Sequence, residues 1–245
     1  KVRALADEYS RVAHVPLVAD LRASGGLGLC GPADILRQAR GAIAAQLAAQ
    51  YSPAEVIVTC LTSAERVDGW EWMKWLPHSS SPHSPFGSGI HLASDSTSGK
   101  VVLSQLEGLL EARSQGDPSE VCDRGPDVSS TPKEEASGED STKEYPNPIP
   151  AVVVFVDDVL VDRARLNRIA ELGPDRGIYV VWMAPTFAEL PAACRSFIAF
   201  NGGQASIGDV RASRALQDVS VDRVSDEELA CLGRSLSPLF YAGVP

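Results

Sequence analysis

The pattern of apolar and polar positions predicts strands that alternate with amphipathic helices along this chain. Continuous apolar runs, typical of parallel strands covered on both faces, predict strands over 55–61, 151–158 and 177–184. Shorter apolar stretches predict strands over 15–21, 26–30, 196–200 and 204–210. Apolar residues at helical spacing, or a capped apolar pattern, predict helices over 33–50, 100–112, 162–171 and 225–236. This order predicts an α/β fold with a doubly wound, mostly parallel sheet and helices on both faces.

One long segment interrupts the alternation. Residues 114–150 are rich in Ser, Pro, Gly and acidic residues and contain few apolar side chains. Such a composition cannot bury enough surface to offset the entropy of ordering the segment. Neither flanking half offers enough strands for a closed core. We therefore predict one domain over 1–245, interrupted by a flexible acidic insertion over 114–150.

The overall charge of the chain argues against one class of binding partner. The formal net charge is −10, which argues against a nucleic-acid surface because such a surface needs clustered Lys and Arg. No apolar run has the length of a membrane span. Five cysteines without a C-x-x-C pair favour a reducing cytoplasm. The chain begins at Lys1 rather than Met, and we expect it to be a piece of a longer protein.

The stretch GGLGLCGPADILRQAR, residues 25–40, has the layout of a phosphate-binding loop between a strand and a helix. A working loop reads G-x-x-x-x-G-K-[ST]. With Gly31 as the first Gly, Leu36 stands at the second Gly position, Arg37 at the Lys position and Gln38 at the Ser/Thr position. Leu36 places a side chain where backbone must approach phosphates, and Gln38 is a poor Mg²⁺ ligand. The sequence predicts the scaffold of a nucleotide site, retaining Gly31, Arg37 and a helix N-terminus.

The apolar run VVVFVDD has the form of a second nucleotide motif, because it ends in Asp157 and Asp158. In working ATPases the first acid helps to hold Mg²⁺ and the next polarises water. A plainer interpretation is that two acids meet water at the carboxyl end of a strand, and the degenerate phosphate loop favours it. We expect Gly31, Arg37, Asp157 and Asp158 to form a vestigial nucleotide site without a catalytic residue.

A cluster of large apolar side chains lies within residues 68–87. Two interpretations are open: a plug in the core, because tryptophan buries a large area, and an anchor for a partner, because tryptophan is enriched in binding hot spots. The partner-binding interpretation involves Trp70, Trp72, Trp75, Leu76 and His78. His78 has no Cys or acid at the spacing of metal ligands, so we expect no metal site.

These features, taken in order, resemble a known family. LVADLRASGGLGLCG is followed by a helix, by WEWMKWLPH, by a strand ending in acids and by DRVSDEELACLGRSLSPL. This order resembles the FtsK/SpoIIIE-type ATPases of actinobacterial type VII secretion, the EccC/EssC proteins. The resemblance covers nearly the whole chain except the acidic insertion. It implies a degenerate RecA-like, P-loop-like domain that precedes the motor domains.

The resemblance also implies a cellular setting. Such proteins carry membrane helices and a string of ATPase domains, and they drive export of small helical proteins at the cytoplasmic face of the plasma membrane. It implies contacts with the other ATPase domains and with membrane components of a secretion complex, and a homo-oligomer as one arrangement of the parent protein. ATP and Mg²⁺ are implied for that parent, whereas this segment needs no cofactor of its own.

Three functions follow as hypotheses. The first is a non-hydrolysing module that couples a membrane anchor to ATP-driven motor domains. The second is an active ATP-binding and hydrolysing domain whose missing groups come from another subunit. The third, DNA translocation, rests only on the FtsK part of the family name and is opposed by the acidic net charge. The first is favoured, because the phosphate loop has lost the side chains that do its chemistry.

Overall fold

The structure is a computed structural model and describes residues 15–79, 81–87, 89, 91–115, 150–158, 161–201, 203–211 and 214–239. Its strands are Leu27–Cys30 (β1), Val56–Leu61 (β2), Leu92–Ala93 (β3), Ala151–Val156 (β4), Ile178–Ala184 (β5), Ser196–Asn201 (β6), Gln204–Asp209 (β7) and Arg214–Val219 (β8). Its α-helices are Leu21–Ser24 (α1), Ala33–Gln50 (α2), Ser96–Gln115 (α3), Arg163–Leu172 (α4) and Asp226–Leu236 (α5). Short 3₁₀ helices cover Val67–Gly69, Glu71–Trp75 and Pro77–Ser79.

All eight described strands form one sheet in the order β3-β2-β4-β5-β1-β6-β7-β8. The first six in this order run parallel, and β7 and β8 extend the sheet as antiparallel strands. Every residue of β1, β2 and β5 is buried, as their continuous apolar sequences require when both faces of a parallel sheet are covered. The predicted α/β class with a mostly parallel sheet is confirmed.

The two faces of the sheet carry separate apolar cores. On one face, α2, α5 and the aromatic 3₁₀ segment pack on the strands around Val58, Phe155 and Val181. On the other face, α3 and α4 pack around Val154 and Trp182. Helix α5 begins with a capping box in which Ser225 and Glu228 each bind the backbone of the other. Within the described residues, no helix combines the length and the apolar character of a membrane span.

Three elements differ from the sequence prediction. The predicted strand over 15–21 is wrong: residues 15–20 have no regular secondary structure and pair with no described strand. Asp20 caps the short helix α1 by accepting from the N–H groups of Arg22 and Ala23. Strand β3 has two residues, which is too short for a periodic signal. Strand β8 reads RALQDV and lacks a regular apolar alternation, because an edge strand has fewer neighbours to bury its side chains.

The predicted insertion begins later than residue 114, because α3 continues to Gln115. Residues 116–149 lie outside the described part of the chain. The two ends that flank them are joined by Arg113, whose guanidinium donates to the carbonyl oxygens of Pro150 (2.6 Å) and Arg176 (2.7 Å). Burial lowers the pKa of Arg113, but its three carbonyl partners, including Gly177 at 3.4 Å, satisfy the charge. This contact holds the C-terminal end of α3 beside the start of β4.

We expect the fold to persist when residues 116–149 are replaced by a short Gly-Ser linker, because Arg113 joins the flanking elements without them. The thermal midpoint of that variant should stay close to that of the full chain. Arg113→Met should cost about 1.5–3 kcal/mol of the free energy of unfolding, as for hydrogen bonds to a charged group. Glu111→Met, an exposed position on the same helix turn, is the matched control. A deletion variant without cooperative unfolding would contradict the prediction of one domain with an insertion.

Candidate functional site: a buried ion pair at the carboxyl edge of the sheet

Helix α2 determines which side chains meet at the carboxyl edge. It follows β1 and leads to β2, and the sheet order places β5 and β4 between those two strands. The helix therefore crosses the end of β4. Leu36, Arg40, Ala44 and Ala48 are spaced four residues apart and are all buried, so they form the inner face of the helix. A cation thus lies within an otherwise apolar stripe, at the point where α2 passes Asp157.

Asp157 follows β4 and is the centre of the site. Only 7% of its surface is exposed. Its Oδ2 accepts from the Arg40 guanidinium, from Trp70 Nε1 at 3.0 Å and from Thr62 Oγ1 at 3.3 Å. Arg66 donates to the Asp157 carbonyl oxygen at 2.8 Å and lies 3.6 Å from Oδ1. The carboxylate is thus surrounded by donors that belong to the chain itself.

Arg40 is buried almost completely, with 3% of its side chain exposed. Its guanidinium carbon lies 4.3 Å from the centre of the Trp70 ring, and that ring packs at 5.1 Å against Phe155 of β4. Burial lowers the pKa of Arg40, and the charge of Asp157 opposes this shift. A buried charge requires a paired partner with hydrogen bonds. Cation–π contact and ion pair together fix Arg40 over the end of β4.

Arg37 stands at the position of the phosphate-loop Lys, but it does not pair with Asp157 as Arg40 does. Its Nε and Nη2 lie 3.1 Å and 2.5 Å from the two carboxylate oxygens of Asp226 in the first turn of α5. This hydrogen bond raises the pKa of Arg37. The loop residue Gly69 leaves room for both arginines, since a Cβ there would lie 2.5 Å from Arg40 Nη2 and 3.1 Å from Arg37 Cζ.

The presence of glycine at position 31 is explained by local packing and does not require a bound phosphate. Its φ of +147° favours glycine. A Cβ at this position would lie 2.8 Å from Cβ and 2.9 Å from the carbonyl oxygen of Phe200 in β6. Glycine is therefore required for β1 to turn into α2 against the neighbouring strand. Pro32 follows as the N-cap and provides no side-chain hydrogen bond.

The structure brings Arg37 and Asp157 to the edge of the sheet where Gly31 lies, and it gives both charged side chains a partner within the chain. Asp158 is half-buried beside them, and its backbone N–H donates to the Leu61 carbonyl at 3.3 Å. Sequence reasoning missed the donors to Asp157, which are Arg40, Thr62, Arg66 and Trp70. Of these four residues, only Arg40 could have been found from the sequence, because it places a charge in the row of apolar residues that recurs every four positions along α2.

Comparison with known proteins shows which proteins this chain is similar to. No family model matches the chain. EccC of Geobacillus thermodenitrificans is 26% identical over 182 residues, which cover 74% of this chain and 10% of that protein. EccC of Thermomonospora curvata is 33% identical over 117 residues, covering 48% of this chain and 8% of that protein. The chain is thus similar in sequence to EccC proteins of ESX secretion systems. It spans about a tenth of the length of these relatives.

The fold agrees with this relationship. A solved structure of Thermomonospora curvata EccC (ATPases 2 and 3) in complex with a signal sequence peptide aligns with a TM-score of 0.58. The alignment covers 93% of this chain and 45% of that chain, at 15% sequence identity. The chain therefore has the fold of the ATPase domains in that structure. Its place ahead of the motor domains stays a prediction.

The aromatic segment of the chain forms core rather than surface. Trp70, Trp72, Leu76 and His78 are each exposed by 5% or less. They are therefore not available to a partner, which corrects the partner-binding interpretation for these four residues. Trp75 differs, because 42% of its surface is exposed and Lys74 Nζ lies 5.9 Å from its ring centre. A partner-binding role stays a prediction for Trp75 alone.

His78 lies beside a groove at the opposite edge of the sheet from Asp157. Its Nε2 donates to the Tyr51 carbonyl oxygen at 2.9 Å, and burial lowers the pKa of its ring. The groove has a volume of about 440 Å³ and separates the ends of α2 and α5. Its apolar lining includes Ala48, Tyr51, Pro77, Leu236 and Leu239. Among the described residues, no group of three His, Cys, Asp or Glu side chains is placed to hold a metal ion.

We expect Arg40 and Asp157 to be energetically coupled. Asp157→Leu should lower the free energy of unfolding by about 3–5 kcal/mol, because it leaves the charge of Arg40 buried and unpaired. Arg40→Met should cost less, because Arg66, Trp70 and Thr62 still contact the Asp157 carboxylate. The double variant should lose much less than the two losses combined. Urea denaturation of the four proteins measures this coupling. Arg165→Met, which removes the exposed pair with Glu107, is the control and should cost about 1 kcal/mol or less. Additive losses for Arg40 and Asp157 would contradict the closed pair.

Proposed function

We propose that this chain is a non-hydrolysing, ATPase-like module of an EccC/EssC-type secretion ATPase. Within its parent protein it couples a membrane-anchored part at the cytoplasmic face to ATP-driven motor domains during protein export. Its direct partners are the other ATPase domains of the same polypeptide and membrane components of the secretion complex. ATP and Mg²⁺ act in those other domains, and this module needs no cofactor.

The buried pair between Arg40 and Asp157 is the observation that carries this proposal. An acid that holds Mg²⁺ needs oxygen atoms that are open to the metal. Asp157 Oδ2 already accepts three hydrogen bonds from the chain, and Arg66 lies beside Oδ1. A fixed guanidinium therefore neutralises the acid that a metal would bind in a working ATPase.

The phosphate loop supports the same conclusion from the other half of the site. Arg37 is bound to Asp226 rather than directed to an open loop. The buried Leu36 replaces the glycine that lets backbone approach a phosphate. Completion of the site by another subunit would require that subunit to displace Arg40 from a buried ion pair. This requirement disfavours the active, trans-completed ATPase, although ATP hydrolysis by the parent is unaffected.

Calorimetry with ATP and Mg²⁺ on the 245-residue chain tests the proposal. We expect no saturable heat up to millimolar nucleotide and no release of phosphate. Arg37→Ala is the matched variant, because it removes the loop cation while leaving the buried pair intact. Two results together would contradict the non-hydrolysing function and favour an active site. They are sub-millimolar binding of ATP that Arg37→Ala abolishes, and hydrolysis of ATP by the wild-type chain.

The apolar groove favours a second function, recognition of an exported protein. The Thermomonospora curvata relative was solved with a signal sequence peptide, and the groove offers an apolar surface bordered by Tyr51 and Leu239, which are 45% and 59% exposed. We propose that a signal sequence of similar chemistry lies in this groove. The closed nucleotide-like site does not conflict with this role, because the groove lies at the other end of α2.

Fluorescence anisotropy with the signal sequence peptide of the Thermomonospora curvata complex tests groove recognition. We expect saturable binding that weakens at least about tenfold in Leu239→Asp, because a charge replaces an apolar contact. Leu172→Asp, an exposed position on α4 outside the groove, should bind like the wild-type chain. Equal affinity of all three proteins, or no saturable binding, would remove the groove from consideration.

A further inference from the structure

The groove beside His78 lies where two helices end. Helix α2 ends at Gln50 and helix α5 ends at Leu236, and residues from both ends line the groove. The last turn of a helix carries a partial negative charge of about half a unit, because its carbonyl dipoles are aligned and unpaired there. Two partly negative helix ends therefore lie at one groove of about 440 Å³.

The end of α2 lacks partners that would offset this charge. Its last turn contains no basic residue. The Ser52 N–H, four residues after Ala48, donates to Glu55 Oε2 at 2.8 Å rather than to the helix. Pro53, four residues after Ala49, has no N–H to donate. The carbonyl oxygens of Ala48 and Ala49 therefore lack the donors that would continue the helix.

The side chains that line the groove add a negative charge and no positive one. Among the described lining residues, Glu55 is the only one with a formal charge at neutral pH. Hydrogen bonds from the backbone N–H and the hydroxyl of Ser52, both 2.8 Å long, lower the pKa of Glu55 and keep it ionised. His78 stays neutral, because burial lowers the pKa of its ring. Arg234, in the last turn of α5, is exposed and lies outside the lining.

We propose that this groove binds a segment of a partner protein in which a Lys or Arg adjoins apolar side chains, a proposal that rests on the groove recognition described above and adds the charge of the ligand. The apolar side chains lie against Tyr51, Leu236 and Leu239. The basic group lies at the end of α2, beside Glu55. An acidic group at that position is repelled by the carboxylate and by the helix end. The net charge of −10 also favours the approach of a basic partner.

The apolar and the charged parts of the groove have separate roles. Tyr51 and Leu239 border the groove with 45% and 59% of their surfaces exposed, so an apolar side chain of the ligand removes part of both from water. A basic group at the rim is attracted by charges that stay close to solvent, and salt screens this attraction. The apolar contact therefore determines the affinity, and the charge determines which apolar segment is preferred.

Fluorescence anisotropy of the full chain with three labelled peptides tests the charge preference. The peptides have blocked ends, share the apolar core Leu-Ala-Ala-Leu and differ only in the next residue, which is Lys, Gln or Glu. We expect the Lys peptide to bind at least about fivefold more tightly than the Gln peptide, because it meets two helix ends and a carboxylate. The Glu peptide should bind more weakly than either. These differences should shrink in about 0.5 M salt, which screens exposed charges.

Three variants locate the preference. Glu55→Gln keeps a hydrogen-bond acceptor for Ser52 but removes the charge, so it should lower the preference for Lys over Gln about twofold. Glu111→Gln removes the same charge at an exposed position of α3, on the other face of the sheet, and should leave the preference unchanged. Leu239→Gln should weaken the binding of all three peptides, because it removes an apolar side chain from the groove. Circular dichroism establishes that each variant is folded.

The outcomes separate the charge preference from groove recognition itself. Equal affinity for the three peptides, weakened for each by Leu239→Gln, overturns the charge preference and leaves the groove as a binding site. A preference that Glu111→Gln lowers as much as Glu55→Gln also overturns it, because the preference then comes from the overall charge of the chain. Lys-peptide binding that is not saturable, or that Leu239→Gln leaves unchanged, overturns it equally. In those two cases groove recognition is decided by the signal sequence peptide alone.

Discussion

The contact between Arg40 and Asp157 is the constraint on which the carboxyl edge of this sheet depends. A buried ion pair gains little stability relative to apolar side chains, but it is costly to break, because either charge alone is left in a medium of low polarity. Trp70, Thr62 and Arg66 therefore converge on Asp157 to complete its hydrogen bonds. The loop after β2 and the first half of α2 are positioned by this requirement, and so is the aromatic segment that begins at Trp70.

Contacts within the chain also explain why the loop between β1 and α2 departs from the phosphate-loop sequence. Leu36 replaces the second glycine and packs in the core, while Arg37 turns toward Asp226 and joins α2 to α5. Gly31 is retained because Phe200 leaves no space for a side chain. The identity of each of these loop residues is thus explained by a contact within the chain. The chain thus has the fold of an ATPase domain, and Arg37, Arg40 and Asp157 are paired within the chain.

Much of the fold was predictable from sequence because the central strands are continuous apolar runs and the helices are amphipathic. The predicted strand over 15–21 failed because apolar composition does not report whether a neighbouring strand is available. Strand β8 gave no signal, since an exposed edge does not require alternation. Within the site, Asp157 and Arg37 could be found from motif spacing. Thr62 and Arg66 could not, because their roles depend on loops that approach Asp157 only after the sheet has formed. The exposure of Trp75 beside buried Trp72 likewise depends on how closely α5, at Gly233, packs on the aromatic segment.

Helix α2 runs from the carboxyl edge of the sheet to the groove beside His78. Its 18 residues form a rod of about 27 Å, with Arg37 and Arg40 in its first half and the groove residues Ala48 and Tyr51 at its C-terminal end. Helix α5 runs between the same two places, from Asp226 beside Arg37 to Leu236 in the groove. The groove and the carboxyl edge are therefore joined by two helices, and the ion pair between Arg37 and Asp226 ties these helices together at the end away from the groove.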